Sequence, residues 1–176
     1  MRVGDLFDIH PTKNYSLTND KLFKTNGKVP VIVNSSFDNG IGGYVDLEPI
    51  EKGGMVTFSD TTTSDSIFYQ NRAFIGYSHV QGMYPYDNVN WTEKSLMYFC
   101  IAFRKATKGL FDYGNKFNRT IAKEILISLP YMNGSLCFSF METVIKALEK
   151  LVIKDAVNWQ SKKIKAIKEA TIDSSF

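Results

Sequence analysis

The spacing of apolar and polar positions divides the chain into two regimes. Over the first ninety residues, short apolar runs alternate with turn chemistry. Val29-Pro30-Val31-Ile32-Val33 is a β-rich run, Asp38-Asn39-Gly40 a turn, and Ile41 to Leu47 the next strand. Gly53-Gly54 then predicts a turn and Met55 to Phe58 a strand. Ser66 to Tyr69 and Ala73 to Tyr77 predict two more, joined at Gln70-Asn71-Arg72, and Val80 to Tyr84 a further one. The period then changes. Thr92 is a good helix N-cap, and Leu96, Phe99, Cys100 and Phe103 fall at i, i+3, i+4 and i+7, which predicts a helix from about 92 to 104. Residues 109–118 read as a loop in which aromatic and basic groups interleave. Ile125 to Leu129 reads as a short strand stopped by Pro130.

From Ser139 to Ala170 there is no Gly or Pro. Ser139 and Glu142 have the spacing of a capping box. Met141, Ile145, Leu148, Val152 and Trp159 then keep near-heptad spacing, with Ile164 and Ile167 beyond them. Asp155 occupies the strict seam position, with Ala156 as its apolar neighbour, so the frame slips there. A helix over 139–170 would be about 48 Å long, and its apolar stripe needs a cover, most simply the same helix of a second copy. The expected fold is therefore α+β. A curled, partly barrel-like β-sheet with short helices spans 1–134, and one long C-terminal helix, able to form a coiled coil, spans 135–176.

Composition narrows the function classes. With 176 residues, 44% hydrophobic and 22% charged, the chain can bury a core without staples. Cys100 and Cys137 lie in apolar stretches and are not a disulfide framework, which points to a reducing compartment. The start, MRVGDLFDIH, has no apolar run behind its arginine, and no stretch approaches the length of a membrane span. A cytoplasmic protein without membrane contact is expected. The net charge of +3 is unevenly spread: residues 1–100 hold 8 Lys/Arg against 11 Asp/Glu, whereas residues 101–130 hold 6 against 2. Such a chain binds a polyanion through one face.

Catalytic chemistry is missing from the pattern. His10 and His79 have no second ligand at metal spacing, and no metal or other cofactor is expected. There is no G-x-S-x-G elbow, no Walker loop, no carboxylate-x-lysine pair of the nuclease type and no Asn-Pro-Pro-Tyr tetrapeptide. Asp46/Glu48 and Asp60/Asp65 are the available paired carboxylates, and solvated loop acids explain them. Three stretches are polar beyond what turns require: Asn34 to Gly40, Ser59 to Ser66 and Tyr113 to Arg119. Amides and hydroxyls there suit base edges, and Lys/Arg suit phosphates. The candidate DNA contacts are Asn39, Thr61, Thr62, Thr63, Ser64, Arg72, Tyr113, Asn115, Lys116 and Arg119. Phe111, Tyr113 and Phe117 could stack on bases, although the aromatic residues of this chain are mostly in keeping with core, and Trp159 with an interface anchor.

The ordered series VPVIVNSSFDNGIGGYV, GGMVTFSDTT, FYQNRAFIGYSHVQGMYP, FDYGNKFNRT-IAKEILISLP and FSFMETVIKALE resembles the target recognition domain of restriction–modification specificity (S) subunits, of the Type I and related Type IIB and IIG systems. The resemblance covers essentially the whole chain. It implies a non-catalytic α/β domain that grips duplex DNA, a helix that enters a coiled coil, and docking to a modification (methyltransferase) subunit that carries the chemistry. Typical S subunits hold two recognition domains and two spacer helices, and this chain has one of each. It fits a half-size subunit that homodimerises, half of a longer chain, or the recognition part of a fused enzyme. Two readings from other classes stand beside it: a glycan- or peptide-binding module with a helical oligomerisation stalk, and an enzyme with an unrecognised carboxylate site.

Overall fold

The computed structural model describes residues 1–60, 63–87 and 90–173. Its strands are β1 (Phe7–Pro11), β2 (Val29–Ile32), β3 (Ile41–Val45), β4 (Met55–Ser59), β5 (Phe68–Gln70), β6 (Ile75–Gly76), β7 (Val80–Pro85), β8 (Tyr131–Met132) and β9 (Ser135–Leu136). Its helices are α1 (Asn19–Leu22), α2 (Glu93–Thr107), α3 (Arg119–Glu124) and α4 (Phe138–Asp173).

The strands form a four-stranded antiparallel sheet, β1-β7-β4-β5, and a three-stranded sheet, β3-β2-β6, in which β2 and β6 run parallel. All five residues of β4 are buried although Val56-Thr57-Phe58-Ser59 alternates apolar and polar, because both faces of the strand are covered. Ile32, Met55, Phe74 and Val80, drawn from both sheets, form one buried cluster. The sheets thus curl toward each other but do not close into a barrel.

The main core lies under α2. Phe7, Phe58, Trp91, Phe99, Phe103 and Phe117 are all buried in one cluster with Val56, Leu96 and Met141. The Phe7 and Phe99 rings lie 4.4 Å apart, and Phe117 meets Phe58 at 5.0 Å. Thr92 caps α2 as expected, but the reciprocal partner is Ser95, whose hydroxyl accepts from the Thr92 amide at 2.8 Å. The predicted face Leu96, Phe99, Cys100, Phe103 is the buried one.

Two sequence readings are corrected. Residues 125–129 are not a strand, because among the described residues their only ladder partner is the short segment before Asp5: Val3 N–H donates to the Ile125 carbonyl and Ile127 N–H to that of Met1, with one bridge between Arg2 and Leu126. The Ser139–Glu142 capping box does not form. Helix α4 starts at Phe138, and the Glu142 carboxylate instead accepts from the Thr92 hydroxyl at 2.7 Å. Residues 109–118 are a loop, as expected, and a helix unread in the sequence, α3, follows it; Asn118 caps it by accepting from Ile121 N–H at 3.0 Å. The hairpin β8–β9 also goes unread in the sequence, although Asn133-Gly134 at its turn, with φ of 52° and 82°, is a strong hairpin signal.

Candidate nucleic-acid interface

Strand β5 is the edge of the four-stranded sheet, and the polar stretches are tied to it or to the end of α2 beside it. Residues 34–40 cross onto β5: the Asn39 amide donates to the Tyr69 carbonyl and the Gln70 side chain, both at 3.1 Å, and Gln70 returns a bond to the Asn39 carbonyl at 3.0 Å. Gln70 is itself buried and also donates to the Thr57 hydroxyl. Asn39 therefore positions its loop, and its amide is occupied within the chain. In the second stretch, Ser64 is buried and donates to the Thr107 carbonyl at the end of α2, 3.0 Å away. Its hydroxyl fastens the loop and does not face solvent, contrary to the expected base or phosphate contact. Thr63 is half-exposed, and Thr61 and Thr62 lie outside the described residues. Arg104 closes the same corner, donating to the Ile67 carbonyl at 2.8 Å with its guanidinium over the Phe68 ring.

The third stretch is a preformed loop. Asp112 accepts from the amides of Gly114 and Asn115 at 2.8 Å, and the Asn115 side chain donates to the Leu110 carbonyl. Phe117 is fully buried against Phe58, Phe103 and Phe111, which pins the loop to the core. Tyr113 is 80% exposed, with the Lys116 ammonium 4.8 Å from its ring centre. Arg119 is the first residue of α3. Among the described residues, Lys105, Lys108, Lys116 and Arg119 form no ion pair, so this segment keeps uncompensated positive charge. Arg72, exposed between β5 and β6, sits where the chain packs tightly on Gly53. A β-carbon there would fall 2.6 Å from the Arg72 carbonyl carbon, which explains the glycine. The structure thus brings Ser64 and the 113–119 loop to the end of α2, whereas Asn39 is held on β5 through Gln70 and Thr57, with Arg72 following at the end of β5.

Burial pushes the Cys100 thiol up to about 11 and, with the nearby Glu51 carboxylate, raises the Tyr84 phenol well above its usual range. Glu51 accepts from the Lys13 amide and the Tyr84 hydroxyl, an internal use for a buried carboxylate. Among the described residues no group of three side chains could hold a metal ion.

Helix α4 is divided in two. Met141 and Ile145, 0% and 2% exposed, are buried by the chain's own core, and Glu142 and Glu149 are bonded to Thr92 and Lys94 of the α2 N-terminus. The expectation that the partner stripe begins at Met141 is corrected accordingly. Past this root the helix is exposed: Leu148, Leu151, Val152 (68% exposed), Ile153, Val157, Trp159, Ile164 and Ile167 all face outward. At about 100° per residue, Leu148, Val152, Ala156 and Trp159 share one sector, and Ile153, Val157 and Ile164 the next. No helix among the described residues is long and apolar enough to cross a membrane.

Residues 1–159 match the model of the Type I restriction modification DNA specificity domain. The fold is similar to that of a Type I restriction–modification S subunit from M. genitalium, with a TM-score of 0.59 and 17% identity over 92% of this chain and 41% of that one. It is also similar to the HsdS subunit from Thermoanaerobacter tengcongensis, with a TM-score of 0.55 and 13% identity over 89% of this chain and 38% of that one. A third structure, described as showing complex assembly and conformational transition of the type I R-M system, gives 0.56 and 15% identity over 89% of this chain and 38% of that one. The chain therefore spans about two fifths of the length of these proteins. No curated protein matches it by sequence.

Proposed function

The chain belongs to the family of Type I restriction modification DNA specificity domains, and from that premise we propose that it recognises a specific sequence in duplex DNA and directs a methyltransferase subunit to it, with no catalysis of its own. The observation that carries this reading is the family match across residues 1–159. The uncompensated cations of 105–119 and the loops around β5 supply a face suited to phosphates and base edges. In this reading the recognition unit runs from residue 1 through the root of α4, beyond the boundary at 134 expected from sequence, because Met141 and Ile145 belong to its core. Its DNA contacts are Arg72, Thr61, Thr62, Thr63, Tyr113, Asn115, Lys116 and Arg119, with Asn39 and Ser64 holding the loops in place. The exposed part of α4, through Leu148, Val152 and Trp159, pairs with another long helix, that of a second copy or of a second recognition half. The protein acts in the cytoplasm, where the DNA is.

Binding of a fluorescein-labelled duplex pool, followed by anisotropy between 50 and 200 mM salt (roughly the range over which counterion release is read), tests the reading. Affinity should fall linearly on a log–log scale, and repeated selection should enrich one sequence. Salt-independent affinity, or binding to glycans in preference to DNA, refutes it. Methylation or cleavage of DNA by the purified chain alone refutes the non-catalytic part.

A further inference from the structure

Phe37 is 76% exposed in the middle of an otherwise polar stretch, and the chain holds it there by a costly conformation. Asp38, Asn39 and Gly40 follow it with φ of 50°, 56° and 76°. Two successive non-glycine residues in the left-handed region are disfavoured and persist only where their surroundings over-determine them. Here they do. Gly40 N–H donates to the Phe37 carbonyl at 2.8 Å, and the Phe37 amide donates to the Ser35 hydroxyl at 3.1 Å. The reciprocal Asn39–Gln70 pair clamps the turn to β5, and the buried Gln70 is anchored to Thr57. A loose loop would fold such a ring onto the surface; this one presents it outward on a rigid support.

We propose, on the DNA-recognition reading above, that Phe37 is a wedge that enters the base stack of the bound duplex at one base step. Phe37 is flanked along the chain by exposed polar Ser36 and Asp38, and a base offers a π-face to such a ring. Exposed Ser36 and Asp38 then lie at base edges, where a hydroxyl and a carboxylate have partners, and Arg72, two residues beyond Gln70, lies toward the phosphates. Insertion costs least at a pyrimidine–purine step, which unstacks easily, so the wedge adds a sequence preference without a hydrogen bond.

The test is parallel selection from a randomised duplex pool by the wild-type chain, Phe37→Ala and Phe37→Trp, after thermal melts confirm equal folding. The wild type and Phe37→Trp should enrich a sequence with one fixed pyrimidine–purine step. Phe37→Ala should keep the rest of the sequence, lose the preference at that step and bind the wild-type duplex about tenfold more weakly, within the range of a base–aromatic stack. Enrichment of the same step by Phe37→Ala overturns the wedge and leaves DNA recognition standing. So does an equal loss by the wild-type chain when uracil replaces thymine at that step, since the ring then reads only a methyl group. Failure of the wild type to enrich any sequence overturns both readings.

Discussion

Replacing Met141 by Ala separates the two halves of α4. Met141 has no exposed surface and packs in the cluster with Trp91, Leu96 and Phe99. Truncation removes its buried methylenes and thioether and leaves a cavity that the surrounding rings fill only in part, a loss of about 2–5 kcal/mol. For a domain of this size, each kcal/mol lowers the midpoint by about 2–4 °C, so the melt should fall by roughly 4–20 °C. The matching perturbation past the root is Leu148→Asp with Val152→Asp. Both side chains are exposed, so this pair should change the stability of the isolated chain by no more than about 0.5 kcal/mol per site. Any association through the stripe should be abolished, because burial of each such side chain contributes roughly 1.5–3 kcal/mol. Circular dichroism melts at one fixed low concentration, with light scattering at a higher one, read the two effects apart. A Met141→Ala chain that melts like the wild type but loses association would refute the division, since α4 would then be a partner helix from its first turn.

Replacing Lys116 and Arg119 together by Ala should weaken duplex binding by about 1–3 kcal/mol if one of them reaches a base edge; where both meet phosphates, the salt slope should become shallower by about 2. Unchanged affinity and slope in an anisotropy titration would remove this face. Cys100, whose thiol is pushed up to about 11 by burial, should resist iodoacetamide near pH 8 in the native chain and react in denaturant, while the half-exposed Cys137 is alkylated in both; mass spectrometry of the labelled peptides decides. Glu142 is held below the usual carboxylate range, first by the Thr92 hydroxyl and then by Lys146. Its contribution is thus present above the unfolded-state value of about 4.3 and is lost as pH falls through the lower folded-state value. Glu142→Gln should therefore lower the melting temperature at neutral pH, and the difference from wild type should shrink in acid.

The periodic features and the Thr92 cap were legible in the sequence, whereas hydrogen bonds between distant segments were not. Helix α2 followed from four apolar residues on one face, and β2, β3, β4 and β7 from apolar runs between glycine or asparagine turns, because burial alone specifies them. Residues 125–129 misled because an apolar run reports burial and not a ladder partner; among the described residues the one partner is the segment around Arg2. Glu142 had capping-box spacing but a better acceptor role toward Thr92, fifty residues away, which no local pattern reveals. In the candidate site, the polar stretches were found by composition, but composition cannot divide them into side chains that hold the loop and side chains that are presented by it. Asn39 and Ser64 hold; Tyr113 and Lys116 are presented. Phe37 was passed over because an aromatic residue reads as core by default, and only the left-handed turn after it shows that it points outward.

The proposed pairing of α4 with a second copy fixes the layout of the DNA site. The exposed apolar stretch runs from Leu148 to Ile167, about 29 Å at 1.5 Å per residue. The root is bonded to α2 through Glu142 and Glu149, so each recognition unit is fixed to its own helix and cannot swing independently of it. An antiparallel pair about a two-fold axis places the two units at opposite ends of this stretch, a separation close to the ~34 Å of one duplex turn, so both meet the same face of the DNA. The target of the dimer should then be an inverted repeat with half-sites about one turn apart. The Leu148→Asp, Val152→Asp chain should select a single half-site with no fixed spacing. Enrichment of one uninterrupted, non-repeated sequence by the wild type, unchanged in the double variant, would assign α4 to a different partner and leave the recognition unit acting alone.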